Sequence, residues 1–301
     1  MRARAESLPV TLLASIPSPD SGVFEIGPLS LHMYGLMLLL GIAACIGLTG
    51  LRWTRRGGDW DLVLRVAVWG VAFGIVGARA YHVITSWDEV PDEWWGVFAV
   101  WKGGLGVWGG ILLGCIAGAV VVRRSGESVL AFMDAVAPGL LVAQAIGRVG
   151  NWWNQELFGS PTDRPWGLEI DLENRPPEFA ESETFHPTFL YEGLWNLFAA
   201  GVLLLVDRFF RIRPPALFAL YVSLYTAFRM YEETLRIDRS HEFWGQRLNF
   251  WVALVLFVLS TAFFVWWQIV RPWWKRRRGA QAEAAGRPAM AIPKGRVRSR
   301  R

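Results

Sequence analysis

The sequence predicts an all-α integral membrane protein with about seven transmembrane helices. Of the 301 residues, 53% are hydrophobic and only 19% are charged, whereas soluble proteins carry about 25% charged residues. Between residues 31 and 270 the apolar residues form blocks of about 20, long enough for a helix to cross a hydrocarbon layer of about 30 Å. This composition excludes a soluble enzyme, a disordered chain and a secreted scaffold held by disulfides.

Short charged loops separate the apolar blocks and define the ends of the predicted spans. The spans cover residues 31–51, 62–86, 105–122, 129–151, 187–206, 214–230 and 248–270. Residues 31–270 are therefore predicted to form one membrane domain. Residues 1–30 are predicted to be an uncleaved extracytoplasmic segment, and residues 271–301, rich in Ala, Gly, Pro and Arg, a basic and disordered cytoplasmic tail.

The charges in the loops predict the orientation of the spans, because cytoplasmic loops collect Lys and Arg. Basic residues follow the first, third, fifth and seventh spans: Arg52, Arg55, Arg56, Arg123, Arg124, Arg208, Arg211, Arg213, Arg271, Lys275, Arg276, Arg277 and Arg278. The loops at residues 88–93 and 163–183 are instead acidic. This pattern places the N-terminus outside and the C-terminus in the cytoplasm.

The net charge of +5 does not indicate nucleic-acid binding, because the basic residues lie in loops and in the tail, not on one periodic face. The two cysteines, Cys45 and Cys115, lie in separate spans and match neither a disulfide framework nor a zinc-ligand spacing. We therefore expect no metal site.

Glycines recur at helical spacing in two neighbouring spans. The third span contains Gly106, Gly110, Gly114 and Gly118, and the second contains Gly70 and Gly74 followed by Ala78. Small residues four apart lie on one face of a helix and allow two backbones to approach closely. The spacing predicts close packing of these spans.

Three arginines lie near the outer ends of separate spans: Arg79, Arg148 and Arg229. Arginine at the centre of a transmembrane helix costs about 2.5–3.5 kcal/mol on insertion, so each requires an explanation. Glu156 or Glu192 is expected to neutralise Arg148, and Glu232 or Glu233 to neutralise Arg229. Two interpretations follow: ion pairs that tie helices together, or a site for a lipid phosphate, whose oxygens guanidinium groups bind bidentately.

Residues around Arg148 read Gly-Arg-Val-Gly-Asn-Trp-Trp-Asn-Gln-Glu-Leu-Phe-Gly from 147 to 159. Such a density of amide and carboxylate groups at the end of an apolar span indicates a functional site. A second polar run, His-Pro-Thr-Phe-Leu-Tyr-Glu, covers residues 186–192 and places His186 just before Glu192 at the start of the fifth span.

The run at residues 147–159 resembles the signature of the prolipoprotein diacylglyceryl transferase family, Gly-Arg-x-Gly-Asn-x-x-Asn-x-Glu-x-x-Gly, at every fixed position. Further similar blocks are Ile16–Pro19, Tyr34–Leu36, Gly77–Arg79, Asp134–Pro138, His186–Glu192 and Tyr225–Arg236, the last with Met230 where the family has Phe. The resemblance covers the chain up to residue 270.

This resemblance implies a bacterial plasma-membrane enzyme with seven spans and a site that faces outward. The family transfers the diacylglyceryl group of phosphatidylglycerol to the lipobox cysteine thiol of a preprolipoprotein and releases glycerol phosphate, without a metal or organic cofactor. The implied partners are these two substrates and the surrounding membrane lipids. One position departs from the family: Trp108 stands where many members have a histidine favoured as the base, and an indole cannot accept a proton.

The resemblance and the chemistry together suggest a role for each candidate residue. Arg148 and Arg229 are expected to hold the phosphate with support from Arg79, Asn151 and Asn154 to hold the headgroup, and Tyr34 and Tyr225 to contact the ester region. Glu192, Glu233 and Arg236 complete the predicted binding set. Glu156 could orient Arg148 or accept the thiol proton, and His186 is the other candidate base. The arginines could also lower the thiol pKa enough to make a base unnecessary.

Two other functions fit parts of the pattern. A transporter or a lipid-binding protein without chemistry would also bury polar groups, but transporters usually place them at the midplane and within repeated halves. Another lipid-headgroup transferase could use the same arginines. The polar residues here cluster near the outer surface, and no internal repeat is evident.

Overall fold

The computed structural model describes residues 15–27, 29–238 and 240–274. Over these residues the chain forms seven long helices: α1 (Met33–Thr54), α2 (Trp60–Thr85), α3 (Val107–Arg124), α4 (Val129–Trp153), α5 (Thr188–Phe209), α6 (Ala216–Leu235) and α7 (Leu248–Val265). α7 continues through a π-helical turn, Trp266–Val270, to Trp274. Residues 1–14 of the predicted N-terminal segment and 275–301 of the predicted tail lie outside the described residues.

Six of these helices, all except α6, are long and apolar enough to cross a membrane. α6 is more polar because Arg229, Glu232 and Glu233 lie in its last two turns. The two glutamates are fully buried in the protein, away from lipid. Ion pairs from Arg229 to residues three and four positions later let α6 continue to Leu235, beyond the predicted end at residue 230.

Three antiparallel hairpins lie in connections at one end of the bundle, which we call the hairpin end: β1–β2 (Val23–Ile26 and Leu29–His32), β3–β4 (Leu168–Glu169 and Thr184–Phe185) and β5–β6 (Glu242–Phe243 and Gln246–Arg247). Their registers pair Val23 with His32, Leu168 with Phe185, and Glu242 with Arg247. Five short 3-10 helices complete the connections there: Trp87–Glu89, Gly96–Phe98, Val100–Lys102, Leu172–Asn174 and Pro177–Phe179.

The hairpin end is held together by contacts between segments distant in sequence. Isolated bridges pair Ile16 with Leu168 and Gly159 with Arg236. An apolar cluster forms beneath them from Ile16, Phe158, Leu168, Ile170 and Phe185. The indole Nε1 of Trp152 donates to the carbonyl of Pro17 at 3.1 Å. The N-terminal segment therefore packs directly on the end of α4.

At the opposite end, a buried polar cluster fixes the start of α6. The carboxylate of Asp134 on α4 accepts a hydrogen bond from the backbone N–H of Phe218 in the first turn of α6, at 2.9 Å. Arg52 of α1 donates to the carbonyls of Asp134 and Ala135 and pairs with Asp207 of α5 at 3.3 Å. These contacts connect α1, α4, α5 and α6 at this end of the bundle.

α2 and α3 pack closely, as the glycine spacing predicts: a Cβ on Gly114 would lie 3.0 Å from the carbonyl oxygen of Gly70, and one on Gly110 would lie 3.3 Å from that of Gly74. The tightest contact, however, uses two glycines outside the predicted pattern. The closest approach is between Gly77 and Gly109: a Cβ on Gly77 would lie 2.3 Å from the carbonyl oxygen of Gly109, and a Cβ on Gly109 would lie 2.1 Å from that of Gly77. Side-chain atoms do not tolerate such distances from a backbone. The two helices consequently form a hairpin whose backbones touch.

We expect Gly109→Ala to destabilise this hairpin, because the added methyl group must push the two backbones apart, an overpacking that costs about 1–3 kcal/mol. Gly47→Ala in α1 is the matched control, since a Cβ there meets no atom within 4 Å. Thermal melting of the purified variants measures the difference. Equal melting temperatures for the two variants would show that α2 and α3 do not require this contact.

Candidate active site

Two arginines predicted from the sequence meet near the hairpin end, between α4, α5 and α6. Arg148 of α4 donates to Glu192 of α5, and the same Glu192 oxygen lies 3.4 Å from Nη1 of Arg229 on α6. Arg229 also donates to Glu232 at 2.5 Å and to Glu233, while Glu232 lies 3.6 Å from Arg148. Glu192 and Glu232 thus link the two guanidinium groups.

The two arginines and their carboxylates differ in exposure. The side chains of Glu192 and Glu232 are 3% and 0% exposed, whereas those of Arg148 and Arg229 are 12% and 15% exposed. The carboxylates are therefore more completely buried than the two arginine side chains. Hydrogen bonds to described residues number two for Arg148 and three for Arg229, fewer than the N–H groups that a guanidinium carries. Both arginines therefore keep donors for a further anion.

A second set of charges continues the network toward the start of α7. Glu233 lies 2.6 Å from Nε of Arg247 and 3.8 Å from Arg236. Asp238 binds the same two arginines at 2.7 and 2.8 Å. The combined network holds equal numbers of guanidinium and carboxylate groups: Arg148, Arg229, Arg236 and Arg247 face Glu192, Glu232, Glu233 and Asp238. These eight ion-paired groups together carry no formal net charge.

The amides after Arg148 connect it to an exposed carboxylate. Asn151 accepts from Nη1 of Arg148 at 3.3 Å and donates from Nδ2 to Glu156 at 2.8 Å. Asn154 donates to the same Glu156 oxygen at 3.3 Å. Glu156 itself is exposed to solvent. The signature run therefore places a carboxylate at the rim of the site and joins it to Arg148 through one amide.

The two residues that flank Glu156 adopt left-handed backbone conformations, with φ of 48° at Gln155 and 59° at Leu157. Such conformations cost about 1–3 kcal/mol for residues with side chains and persist only where the surroundings enforce them. Here Gln155 exchanges two hydrogen bonds with Asp171, and the carbonyl of Leu157 accepts from the hydroxyl of Thr188 at 2.5 Å. The turn that carries Glu156 is thus built by distant contacts.

Tyr34 of α1 and Tyr225 of α6, the helix that also carries Arg229, lie near the arginine pair. The ring of Tyr34 lies against Gly150, where a Cβ would come within 2.7 Å of its Cδ2 atom. The charges of Glu156 and Arg148 act on the phenol of Tyr34, and those of Glu192, Arg229 and Arg148 act on the phenol of Tyr225. Tyr34 thus lies near Arg148 and Tyr225 near both arginines, and their expected contact with the ester region of a lipid stays a prediction.

His186 lies in a separate hydrogen-bonded group. Its Nδ1 is 3.1 Å from the hydroxyl of Tyr191, which accepts from Nε1 of Trp166 at 2.9 Å. Partial burial and then the positive charge of Arg164 lower the pKa of His186. Among the described residues, no hydrogen bond connects this imidazole to Arg148 or Arg229. Its backbone pairs with Gly159 and Ser160, so its clearest contribution is to join the end of α4 to the start of α5.

Arg79 is placed differently from the other two predicted arginines. Its guanidinium donates to the carbonyls of Gly96, Val97, Gly103 and Gly104 at 2.5–3.1 Å. No contact within the described residues joins it to Arg148 or Arg229. The structure therefore uses Arg79 to order the connection between α2 and α3, and support for a phosphate by this residue stays a prediction.

Several residues of the network were not predicted from the sequence. Asn196 donates to Glu192 at 3.4 Å from one turn further along α5, and a four-residue spacing could have indicated it. Arg247 was recognisable as a basic residue at the outer end of the last span. Asp238 had no comparable signal, because its loop position alone does not show that it lies between two arginines.

The chain is similar to known proteins over most of its length. The model of the prolipoprotein diacylglyceryl transferase family matches residues 21–266. The chain is 46% identical over 260 residues to phosphatidylglycerol–prolipoprotein diacylglyceryl transferase 2 of Streptomyces coelicolor, covering 84% of this chain and 81% of that protein. The corresponding Cutibacterium acnes protein is 47% identical over 259 residues, with coverages of 85% and 87%, and that of Bifidobacterium adolescentis is 43% identical over 268 residues, with coverages of 84% and 80%.

Proposed function

Because the chain belongs to the prolipoprotein diacylglyceryl transferase family, it is a membrane-embedded transferase, and we propose that its substrates are phosphatidylglycerol and the lipobox cysteine of a preprolipoprotein. The membrane is then the bacterial plasma membrane. The hairpin end, which carries the acidic connections, faces outward, and the arginine-rich loops after α1, α3 and α5 face the cytoplasm.

The observation that carries this proposal is the pair formed by Arg148 and Arg229. In the reaction the cysteine sulfur attacks the glycerol carbon of the lipid, and the bond from that carbon to the phosphate oxygen breaks. The phosphodiester carries one negative charge and the departing glycerol phosphate gains another, so donors aimed at it stabilise the transition state more than the bound lipid. Guanidinium groups with unused N–H donors meet this requirement.

The buried glutamates hold the arginines in position before the lipid arrives. Glu192 binds both guanidinium groups, and Glu232 and Glu233 fix Arg229 from its own helix. Because the buried positive and negative charges of this network balance, the phosphate does not have to displace another anion before it binds. In this proposal the phosphate takes the outward-facing N–H groups, while the glutamates keep the inward-facing ones.

The thiol proton must leave before or during the attack, because a thiol with a pKa near about 8.5 is a weak nucleophile. Glu156 is the carboxylate best placed to receive it, since Asn151 and Asn154 hold it at the rim beside Arg148. The formed glycerol phosphate is a second possible acceptor, which requires no protein base. His186 is bonded to Tyr191 and is less suited to this role.

We expect Glu156→Gln to lower turnover by about 10²-fold or more, the usual contribution of a general base, and His186→Gln to change it by less than about threefold. Gln keeps the size of Glu156 and an oxygen that accepts from Asn151 and Asn154, and His186→Gln keeps the backbone pairing of His186 with Gly159 and Ser160, so both variants should fold. Turnover with saturating lipid and peptide measures both. A large loss for His186→Gln with full activity for Glu156→Gln would reverse these roles.

The activity itself is tested by incubating the purified protein with phosphatidylglycerol and a lipobox peptide. We expect the peptide mass to rise by one diacylglyceryl group, and glycerol phosphate to appear in equal amount. A peptide with serine in place of the cysteine is the control. An unchanged peptide together with lipid bound to the protein would favour a lipid-binding protein or transporter, and release of a different headgroup product would favour another transferase.

A further inference from the structure

A groove lies between α2 and α3, away from the arginine pair, and opens on the lipid-facing side of the hairpin. It encloses about 620 Å³. Apolar side chains form most of its length, among them Trp69 and Phe73 from α2 and Leu113 and Ala117 from α3. Trp69 and Phe73 are 51% and 43% exposed, so the groove is an open apolar surface that no other helix among the described residues covers.

One end of the groove carries two positive charges. Arg65 of α2 and Arg124 of α3 line it, with Ser125 beside them. No ion pair or hydrogen bond connects either guanidinium to another residue in the described part of the chain, although Asp61 precedes Arg65 by one helical turn. This differs from Arg148 and Arg229, whose charges are met by carboxylates. The groove thus ends in two uncompensated cations from two helices.

The length of the groove matches one leaflet of a bilayer. On α2 it extends from Arg65 to Val76 and on α3 from Arg124 to Leu113, and both intervals correspond to about 16 Å of helix. This is about half of a hydrocarbon layer of about 30 Å. A chain that begins at the two arginines would therefore reach about the middle of the membrane.

We propose that this groove binds an anionic phospholipid from the leaflet on the arginine-rich side, with its phosphate between Arg65 and Arg124 and an acyl chain along Trp69 and Ala117. Both cations line the same end of the groove, where two guanidinium groups suit one phosphate, and no carboxylate that the structure describes lines the groove beside them. A zwitterionic lipid would offer the same phosphate, but its headgroup cation would lie near the two guanidinium groups and offset the attraction. The bound lipid covers the glycine-packed hairpin and is separate from the transfer site.

Native mass spectrometry of the purified, delipidated protein tests this, with phosphatidylserine and phosphatidylcholine of the same acyl chains as probes. Phosphatidylserine is anionic but lacks the headgroup glycerol of the proposed donor lipid, so the result does not depend on the proposed function. We expect one tightly bound phosphatidylserine, and a weakening of its binding by about 30-fold in Arg65→Gln/Arg124→Gln, because each cation near an anionic headgroup contributes about fivefold in affinity.

Two matched controls separate this site from general attraction to anionic lipid. Arg123→Gln removes a charge at the same end of α3, but Arg123 does not line the groove, so binding should not change. Ala117→Trp fills the groove and should prevent binding, whereas Leu112→Trp, on the same helix but outside the groove, should not. Equal affinity for the two lipids, or unchanged binding in the double variant, would overturn the proposal. Melting in lipid-free detergent shows that the variants fold.

Discussion

Replacing Arg148 with alanine is expected to lower turnover by at least about 10³-fold, the scale of loss when a donor to a developing negative charge is removed. The protein should still fold, because Arg229 remains 3.4 Å from Glu192 and neutralises the carboxylate that Arg148 leaves. Turnover with phosphatidylglycerol and a lipobox peptide gives the activity, and thermal melting gives the stability.

Arg148→Lys separates charge from geometry in the same experiment. A lysine keeps the positive charge next to Glu192 but cannot hold two phosphate oxygens in the planar arrangement of a guanidinium group. We expect melting close to that of the wild type and turnover nearly as low as in the alanine variant. Retention of more than half the activity by Arg148→Lys would show that a point charge suffices and that bidentate contact is not required.

Arg229→Ala should have the largest combined effect, with loss of both activity and stability. Arg229 binds Glu192, Glu232 and Glu233, so its removal leaves buried carboxylates without their main partner. Breaking a buried ion pair from one side costs about 3–5 kcal/mol. We expect a clear fall in melting temperature and no measurable transfer.

A charge-compensated double variant distinguishes the two roles of Arg229. In Arg229→Gln/Glu232→Gln the buried positive and negative charges disappear together, so most of the stability lost in Arg229→Gln should return. Transfer should stay absent, since the phosphate has lost a donor. Recovery of activity along with stability would show that Arg229 serves only to hold the helices together.

The helices were predictable from sequence because lipid imposes a simple requirement of length and apolarity. α6 shows the limit of that rule. Its last turns are too polar for a lipid-facing segment, and the predicted span stops at residue 230, but the helix continues to Leu235 because its charges pair within the protein. Composition alone does not reveal whether a charge faces lipid or a buried partner.

The arginines near the outer ends of the spans also show that the sequence does not reveal the partner of a buried charge. Arg148 and Arg229 were predicted to meet because each lies near the outer end of its span with carboxylates nearby, and the structure places them on the same Glu192. Arg79 lies at a similar position in its span, yet its partners are four backbone carbonyls of the α2–α3 connection. Every residue carries a carbonyl, so no sequence pattern marks these partners.

The turn at Glu156 depends on contacts that no local pattern contains. The signature run gives the residue types, but Gln155 reaches its unusual conformation through Asp171 and the carbonyl of Pro19. Those partners come from two other segments of the hairpin end. The residue types of the candidate site were therefore readable from the sequence, whereas the position of its carboxylate required the tertiary structure.

The most direct test is a structure of the protein with a phosphonate analogue of phosphatidylglycerol, in which carbon replaces the ester oxygen that would leave. We expect the phosphonate oxygens to lie about 2.7–2.9 Å from the guanidinium nitrogens of both Arg148 and Arg229, with Glu192 still behind them. A phosphonate bound elsewhere, with both arginines engaged only by their glutamates, would contradict the shared phosphate site.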